Sequence, residues 1–208
     1  MKWCLVFACV CVGRMGESYK ILQIADTQIG TMWFDQCRDL HPAEAKLGAC
    51  TASNTTMFVR RLIEWEAPDL VVFSGDQVMG VTAGGQHQRT VDAIVEPAIL
   101  AGVAFVVLIG NHDLDMDWRH TRRSYLRHFA SKPGSLTRTE DVWSLRPMPG
   151  WEIRFYNQGS DGKLTTAGKG DGGMSSRSVL GFLHAPTTEW WETEGRVGER
   201  LEAKGAVS

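Results

Sequence analysis

The stretch Asp69-Leu70-Val71-Val72-Phe73-Ser74-Gly75-Asp76-Gln77 decides the fold. It is apolar from Leu70 to Phe73 and then turns abruptly polar. An unbroken apolar run of this length is the pattern of a strand covered on both faces, as in a parallel sheet, and Pro68 in front of it ends whatever helix precedes. The same grammar recurs on either side. Upstream, Lys20-Ile21-Leu22-Gln23-Ile24-Ala25 is a short β-rich run that stops at Asp26-Thr27-Gln28; downstream, residues 103–109 form a third buried strand running into Gly110-Asn111-His112-Asp113. Helices are predicted between and after these strands. One covers about 54–66, with Met57, Phe58, Leu62, Ile63 and Trp65 broadly on one side. The second covers about 89–100 with Gly102 as its stop, and the third covers about 118–130, ending before Lys132-Pro133-Gly134. Strands alternating with helices predict an α/β fold with right-handed crossovers.

The second half follows another pattern. Residues 143–145, 153–156 and 179–183 read as strands without long helices between them, which predicts a second, more antiparallel sheet. The Gly-rich polar stretch 159–173 reads as a surface loop; its GxG-like spacings are no nucleotide fingerprint, because no strand feeds directly into a helix there. There is no internal repeat and no strong linker, so one α/β domain is the simplest organisation.

Composition narrows the class. The 208 residues are 43% hydrophobic and 22% charged with a formal net charge of −2. Wholesale disorder and fibrous classes are excluded by the first two figures, and the charge disfavours a general nucleic-acid binder or a polybasic membrane protein. No apolar run in the sequence approaches the roughly 18–20 residues of a transmembrane segment. The chain opens Met1-Lys2 and continues apolar through Val12, the shape of a secretory signal over residues 1–16; the competing reading is a first strand. Three of five cysteines (Cys4, Cys9, Cys11) fall within that segment, leaving Cys37 and Cys50 as a pair that could form a disulfide in an oxidising compartment or remain as two thiols. Asn54-Thr55-Thr56 is a glycosylation acceptor triplet. Together these point to a secreted or endomembrane-lumenal protein whose domain spans 17–208.

The chemistry gathers where the strands end. Each cluster has a bland reading alone: Asp26 as a turn or cap, Gly75-Asp76 as a common turn pair, Asn111-His112 as a loop pair. On three successive parallel strands, however, the C-terminal edge is where ligands bind, so the clusters converge. His184, at the end of Val179-Leu180-Gly181-Phe182-Leu183, is a fourth candidate, although a lone histidine there is more often structural. Two carboxylates, an amide oxygen and imidazoles form a mixed O/N ligand set that suits zinc, manganese or iron and not a thiolate site. A carboxylate shared by two ions would make a two-metal hydrolase. The arginines at 119, 122, 123 and 127 read as a solvated helix face.

These residues resemble the calcineurin-like metallophosphoesterases, and within them the purple acid phosphatase-like proteins of plants, fungi and algae. The resemblance runs from about Lys20 to Ser208 and rests on the ordered motifs Asp26-Thr27-Gln28, Gly75-Asp76, Gly110-Asn111-His112-Asp113 and His184. It extends to Asn54-Thr55-Thr56, Pro68–Phe73, Pro133-Gly134-Ser135-Leu136 and Phe182-Leu183-His184-Ala185-Pro186. It implies a metallophosphatase-type β-sandwich flanked by helices and a pair of divalent or trivalent ions (Fe, Zn or Mn). Asp26 would hold the first ion, with Gln28 as a further ligand; Asp76 would bridge both; Asn111 and His184 would hold the second. His112 would touch the scissile phosphate or protonate the leaving oxygen, Asp113 would orient its ring, and a bridging hydroxide would attack phosphorus. A small phosphoester, a phosphomonoester on the family pattern, is the implied substrate, and long nucleic acids are not expected.

The sequence departs from that pattern in three places. Gln28 stands where many members have His, and Met79 where the purple enzymes place a Tyr ligand. After His184 there is no further histidine, so the Gly-His-x-His motif is absent, and with it the C-terminal part of the second sheet is expected to be missing. A phosphodiesterase or nuclease on the same scaffold and a non-catalytic phosphatase-like binding protein or inactive fragment are the competing expectations.

Overall fold

The computed structural model describes residues 6–14, 17–29, 42–46, 51–78, 87–110, 112–113, 121–149, 151–157 and 178–183. Its elements, in chain order, are strands β1 (Val6–Arg14) and β2 (Glu17–Ala25), a single helical turn α1 (Pro42–Ala45), helix α2 (Ala52–Glu66), strand β3 (Leu70–Phe73), helix α3 (His87–Ala101), strand β4 (Ala104–Val107), helix α4 (Arg122–Ala130), and strands β5 (Val142–Leu145), β6 (Trp151–Tyr156) and β7 (Ser178–Leu183). The expected α/β architecture is present. Asn111, His184, Cys37, Cys50 and the stretch 159–173 lie outside the described residues.

Two sheets are formed. The first has the order β1-β2-β3-β4, with β2, β3 and β4 parallel and β1 antiparallel at the edge. Ile24 lies opposite Phe73, and Phe73 opposite Val107, so the three parallel strands end level with one another. The stretch whose sequence reads as an export signal or a first strand is β1, with Val6 opposite Ala25 and Arg14 opposite Glu17. The second sheet has the order β5-β6-β7. Here the expectation of a more antiparallel sheet needs correction: β5 and β6 are antiparallel, but β6 and β7 run parallel.

Strand alternation sorts the core into two layers. On one face of the first sheet, Leu22, Ile24, Val71, Phe73, Phe105 and Val107 pack against Val59, Leu62 and Ile63 of α2, Ile94, Val95 and Ala98 of α3, and Tyr125, Leu126 and Phe129 of α4. On the other, Ile21, Leu70, Val72, Val106 and Leu108 pack against Trp143, Ile153 and Phe155 of the second sheet. That is why β3 is apolar at every position: helices cover one side and a sheet the other.

The outer edge of β4 is closed rather than exposed. Phe105 N–H donates to Gly134 O, Leu136 N–H to Phe105 O, Val107 N–H to Thr137 Oγ1 and Ile109 N–H to Asn157 Oδ1. Among the described residues, no helix is long and apolar enough to cross a membrane.

Helix ends differ in detail from the sequence expectation. Helix α2 begins at Ala52 because Thr51 caps it, its N–H donating to Asn54 Oδ1 at 2.9 Å; it ends at Ala67, which takes a left-handed conformation (φ 42°) just before Pro68. The expected start of α4 at 118 is corrected to Arg122. Thr121 is extended (φ −93°, ψ 156°) and its hydroxyl accepts from Ser124 N–H, so the helix cannot run through it. Nor is Arg122 part of a solvated face: it is largely buried and paired with Asp141.

Candidate metal centre

Strands β2, β3 and β4 deliver three loops to one edge of the sheet. The first two continue side by side past the ends of their strands. Ser74 N–H donates to Ile24 O, Asp26 N–H to Gly75 O, Gln28 N–H to Asp76 O and Ile29 N–H to Gln77 O, and Ile29 bridges Val78 in parallel. This extension is not regular strand. Asp26 (φ 55°), Gln28 (φ 41°) and Asp76 (φ 52°) all adopt positive φ, as does Gly75 at 111°. Aspartate tolerates the left-handed region better than most residues, and glutamine does so at a cost on the order of 1–2 kcal/mol. Such conformations persist only where surrounding bonds hold them.

The bonds that hold them are visible. Thr27 Oγ1 donates to Gln77, whose side-chain N–H donates in turn to Gly75 O at 2.7 Å, so buried Thr27 and Gln77 latch the first loop to the second. The third loop is joined through Asp113. Its Oδ2 accepts from Asp76 N–H (2.9 Å) and Gly110 N–H (2.8 Å), and its Oδ1 accepts from Gln77 N–H (2.7 Å) and Val78 N–H (3.2 Å). Asp76 answers in the opposite direction, its Oδ1 accepting from His112 N–H at 2.8 Å. Gly110 has no room for a side chain: a Cβ there would overlap Asp76 Oδ1 and the Asp76 main-chain nitrogen, and would sit 2.9 Å from Asp76 Cγ.

Of the residues singled out from sequence, Asp26, Gln28, Asp76, His112 and Asp113 are therefore brought to one sheet edge, while Asn111 and His184 lie outside the described residues. Among the described residues, no three His, Cys, Asp or Glu side chains form a ready-made metal cluster. Asp113, expected to orient the His112 ring, accepts main-chain hydrogen bonds from two loops. Sequence reading missed Gly110 as a packing residue, and it missed Thr27, Gln77 and Tyr125. The apolar spacing of Tyr125, Leu126 and Phe129 is legible as a helix face, but nothing local marks the Tyr125 hydroxyl.

Burial dominates the electrostatics. Asp113 is 1% exposed, and burial lifts its carboxyl to a pKa of about 6; the Asp76 charge adds to the rise, while the N–H groups of Gly110, Val78 and Gln77 oppose it. Tyr125 is 2% exposed, and its phenol is pushed well above its ordinary value by burial and then by the negative charges of Asp113 and Asp76. The donor chemistry suits hard or borderline cations: carboxylate oxygens from Asp26 and Asp76 and an amide oxygen from Gln28. A carboxylate offers about four lone-pair sites, so Asp76 can accept the His112 N–H and still bind a cation. Two buried carboxylates, Asp76 and Asp113, within each other's field are also a setting in which a cation relieves repulsion.

Comparison with known proteins agrees with the motifs. The model of the calcineurin-like phosphoesterase family matches residues 19–195. The chain is 38% identical over 127 residues to "Probable inactive purple acid phosphatase 14" of Arabidopsis thaliana, a match covering 60% of this chain and 31% of that protein. It is 30% identical over 162 residues to "Probable inactive purple acid phosphatase 29" of the same plant, covering 78% of this chain and 38% of the other. The chain thus spans about a third of the length of these curated relatives. A dimetal phosphatase from Danio rerio aligns at a TM-score of 0.47 and 15% identity, over 67% of this chain and 44% of that one.

Proposed function

We propose, on the premise that the chain belongs to the calcineurin-like phosphoesterase family, that it carries the metal-holding half of a phosphate-ester hydrolase acting on small phosphomonoesters. Asp26 and Gln28 would hold one ion, Asp76 would be shared, and Asn111 and His184 would complete the second position. When bound, the ions supply positive charge to the phosphoryl oxygens and make water nucleophilic near neutral pH. Zinc, iron and manganese all suit this donor set.

The chain's own residues have distinct tasks. Asp76 and Asp26 are held on two parallel-running loops, so their separation is set by main-chain hydrogen bonds rather than by flexible side chains. His112 is tethered to Asp76 through its main-chain N–H, and its imidazole would donate a proton to the leaving oxygen. The observation that carries the reading is this lock: Asp76 fixes His112 while Asp113 fixes Asp76.

A second reading is a non-catalytic phosphatase-like protein that binds a phosphorylated ligand. The names of the two Arabidopsis relatives and the amide of Gln28 in a position that many members give to His favour it. The exposed Asn54 of the Asn54-Thr55-Thr56 triplet supports a secretory or lumenal location for either reading.

Elemental analysis and aryl-phosphate hydrolysis by the purified chain separate the two. Metal uptake with turnover that disappears in Asp76→Asn supports the hydrolase. Metal uptake and phosphate binding without turnover support the binding protein. Turnover retained in pure Asp76→Asn sinks the proposed site.

A further inference from the structure

The peptide between Gly75 and Asp76 joins all three loops. Its carbonyl oxygen accepts from Asp26 N–H of the first loop at 3.1 Å, and its N–H donates to Asp113 Oδ2 of the third at 2.9 Å. In a trans peptide these two groups point in opposite directions, so one plane sets the place of both neighbouring loops. That plane lies between two residues at positive φ, Gly75 at 111° and Asp76 at 52°. Glycine offers no side chain to pack and has the most conformational freedom to lose, so the plane must be held by its surroundings.

The Gln77 side chain holds it. Gln77 is 1% exposed, and its Nε2 donates at 2.7 Å to Gly75 O, the same oxygen that accepts Asp26 N–H. A carbonyl can only accept, so the amide nitrogen must face it, which leaves Oε1 turned to the Thr27 hydroxyl at 3.0 Å. That hydroxyl also lies 2.9 Å from Gln77 O, which accepts Ile29 N–H at 3.0 Å. One side chain thus braces the second loop on itself and grips the first. What it grips is Thr27, the residue between Asp26 and Gln28, the two groups that the proposed function gives to the first ion. The third loop is tied differently, through the Asp113 carboxylate and main-chain N–H groups.

We infer that Gln77 is a positioning residue with an unequal effect on the metal pair: through Thr27 and Gly75 it sets Asp26 and Gln28 against Asp76, and so governs the first ion more than the second. The latch itself concerns the metal-free chain alone; its effect on the ions rests on the proposed metal site.

Amide hydrogen exchange on the metal-free 208-residue chain tests the latch. In Gln77→Leu, the amides of Asp26, Gln28 and Ile29 should exchange about tenfold faster than in the native chain, because a buried carbonyl and a buried hydroxyl each lose one partner and keep another. The amides of Val71 and Val72, in the middle of β3, should be unchanged. Thr27→Val should give the same selective rise, and Thr27→Ser, which keeps the hydroxyl, should restore native exchange. Ile63→Val, which trims the helix-side core on α2, should not single out those three amides. Native-like exchange in both Gln77→Leu and Thr27→Val overturns the inference, and so does a rise in Thr27→Ser or Ile63→Val as selective as theirs. Calorimetric titration with Zn²⁺ or Mn²⁺ tests the effect on the ions. In Gln77→Leu one ion should bind about tenfold more weakly while the other keeps its native affinity. An equal fall for both ions, or no fall for either, overturns the unequal effect. If the native chain takes up fewer than two ions, the proposed metal pair has failed, and the exchange measurement still decides the latch.

Discussion

His112 hangs from Asp76: the main-chain N–H of the histidine donates to Oδ1 of the aspartate at 2.8 Å, across 36 residues of sequence. The bond needs the third loop to run close over the Asp76 side chain, and Gly110 is what permits the approach, since any Cβ there would overlap Asp76 Oδ1 and its main-chain nitrogen. Gly110→Ala should therefore push the two loops apart. Overpacking at a buried contact costs roughly 1–3 kcal/mol, so the denaturation midpoint should fall. Metal affinity should fall as well, because Asp76 is the group displaced. A variant with native stability would show that the loops separate without strain.

The closed edge of β4 gives an independent prediction. Asn157 is 1% exposed; its Oδ1 accepts from Ile109 N–H, and its side-chain N–H donates to Glu140 O at 2.9 Å. Asn157→Leu would strand the buried Ile109 N–H, at about 1–3 kcal/mol, and leave the part-buried Glu140 O without its side-chain donor. Thr137→Val removes the acceptor for Val107 N–H, two residues before Ile109 at the end of β4. Urea denaturation should place Asn157→Leu below Thr137→Val, since the first leaves two main-chain groups without their side-chain partner and the second leaves one, its other bond coming from the Ser135 hydroxyl. The reverse order would mean that the edge is held mainly through Thr137.

What could be read from sequence was local, and what could not depended on contacts between distant segments. The strands 70–73 and 104–107 were legible because both faces are covered, which makes each an apolar run by itself. The clusters ending at Asp26, Asp76 and His112 were legible because parallel strands must end at a common edge. The parallel pairing of β6 with β7 was not, because a short apolar strand looks the same in either direction. Asp113 was recognised as a site residue, but its bonds to Asp76 and Gln77 span 37 and 36 residues, and no local pattern encodes them.

Helix α4 starts where its cap lies. Thr121 Oγ1 accepts from Ser124 N–H at 3.2 Å, and Ser124 Oγ accepts from Thr121 N–H at 2.9 Å. Thr121→Ala should cost about 1 kcal/mol. Urea denaturation should show that loss; native stability in Thr121→Ala would mean that the first turn of α4 is held by its packing rather than by the cap.

The raised carboxyl of Asp113 fixes the direction of a pH effect in the metal-free chain. Its pKa moves from an ordinary 3.8 to about 6 on folding, with burial the largest cause and the Asp76 charge assisting. The folded chain therefore holds this proton more tightly than the unfolded one. The resulting stabilisation is complete below about pH 4, where both states are protonated. It is lost as pH rises through about 6, where the folded state must bury a charge. Asp113→Asn is neutral at every pH and cannot contribute this slope, although it carries a constant penalty for losing a carboxylate acceptor. The stability difference, native minus Asp113→Asn, should consequently decrease between pH 4 and pH 7 when both are followed by urea denaturation in chelator. A difference that stays flat, or that grows with pH, would mean that the four main-chain N–H groups stabilise the carboxylate more than burial destabilises it.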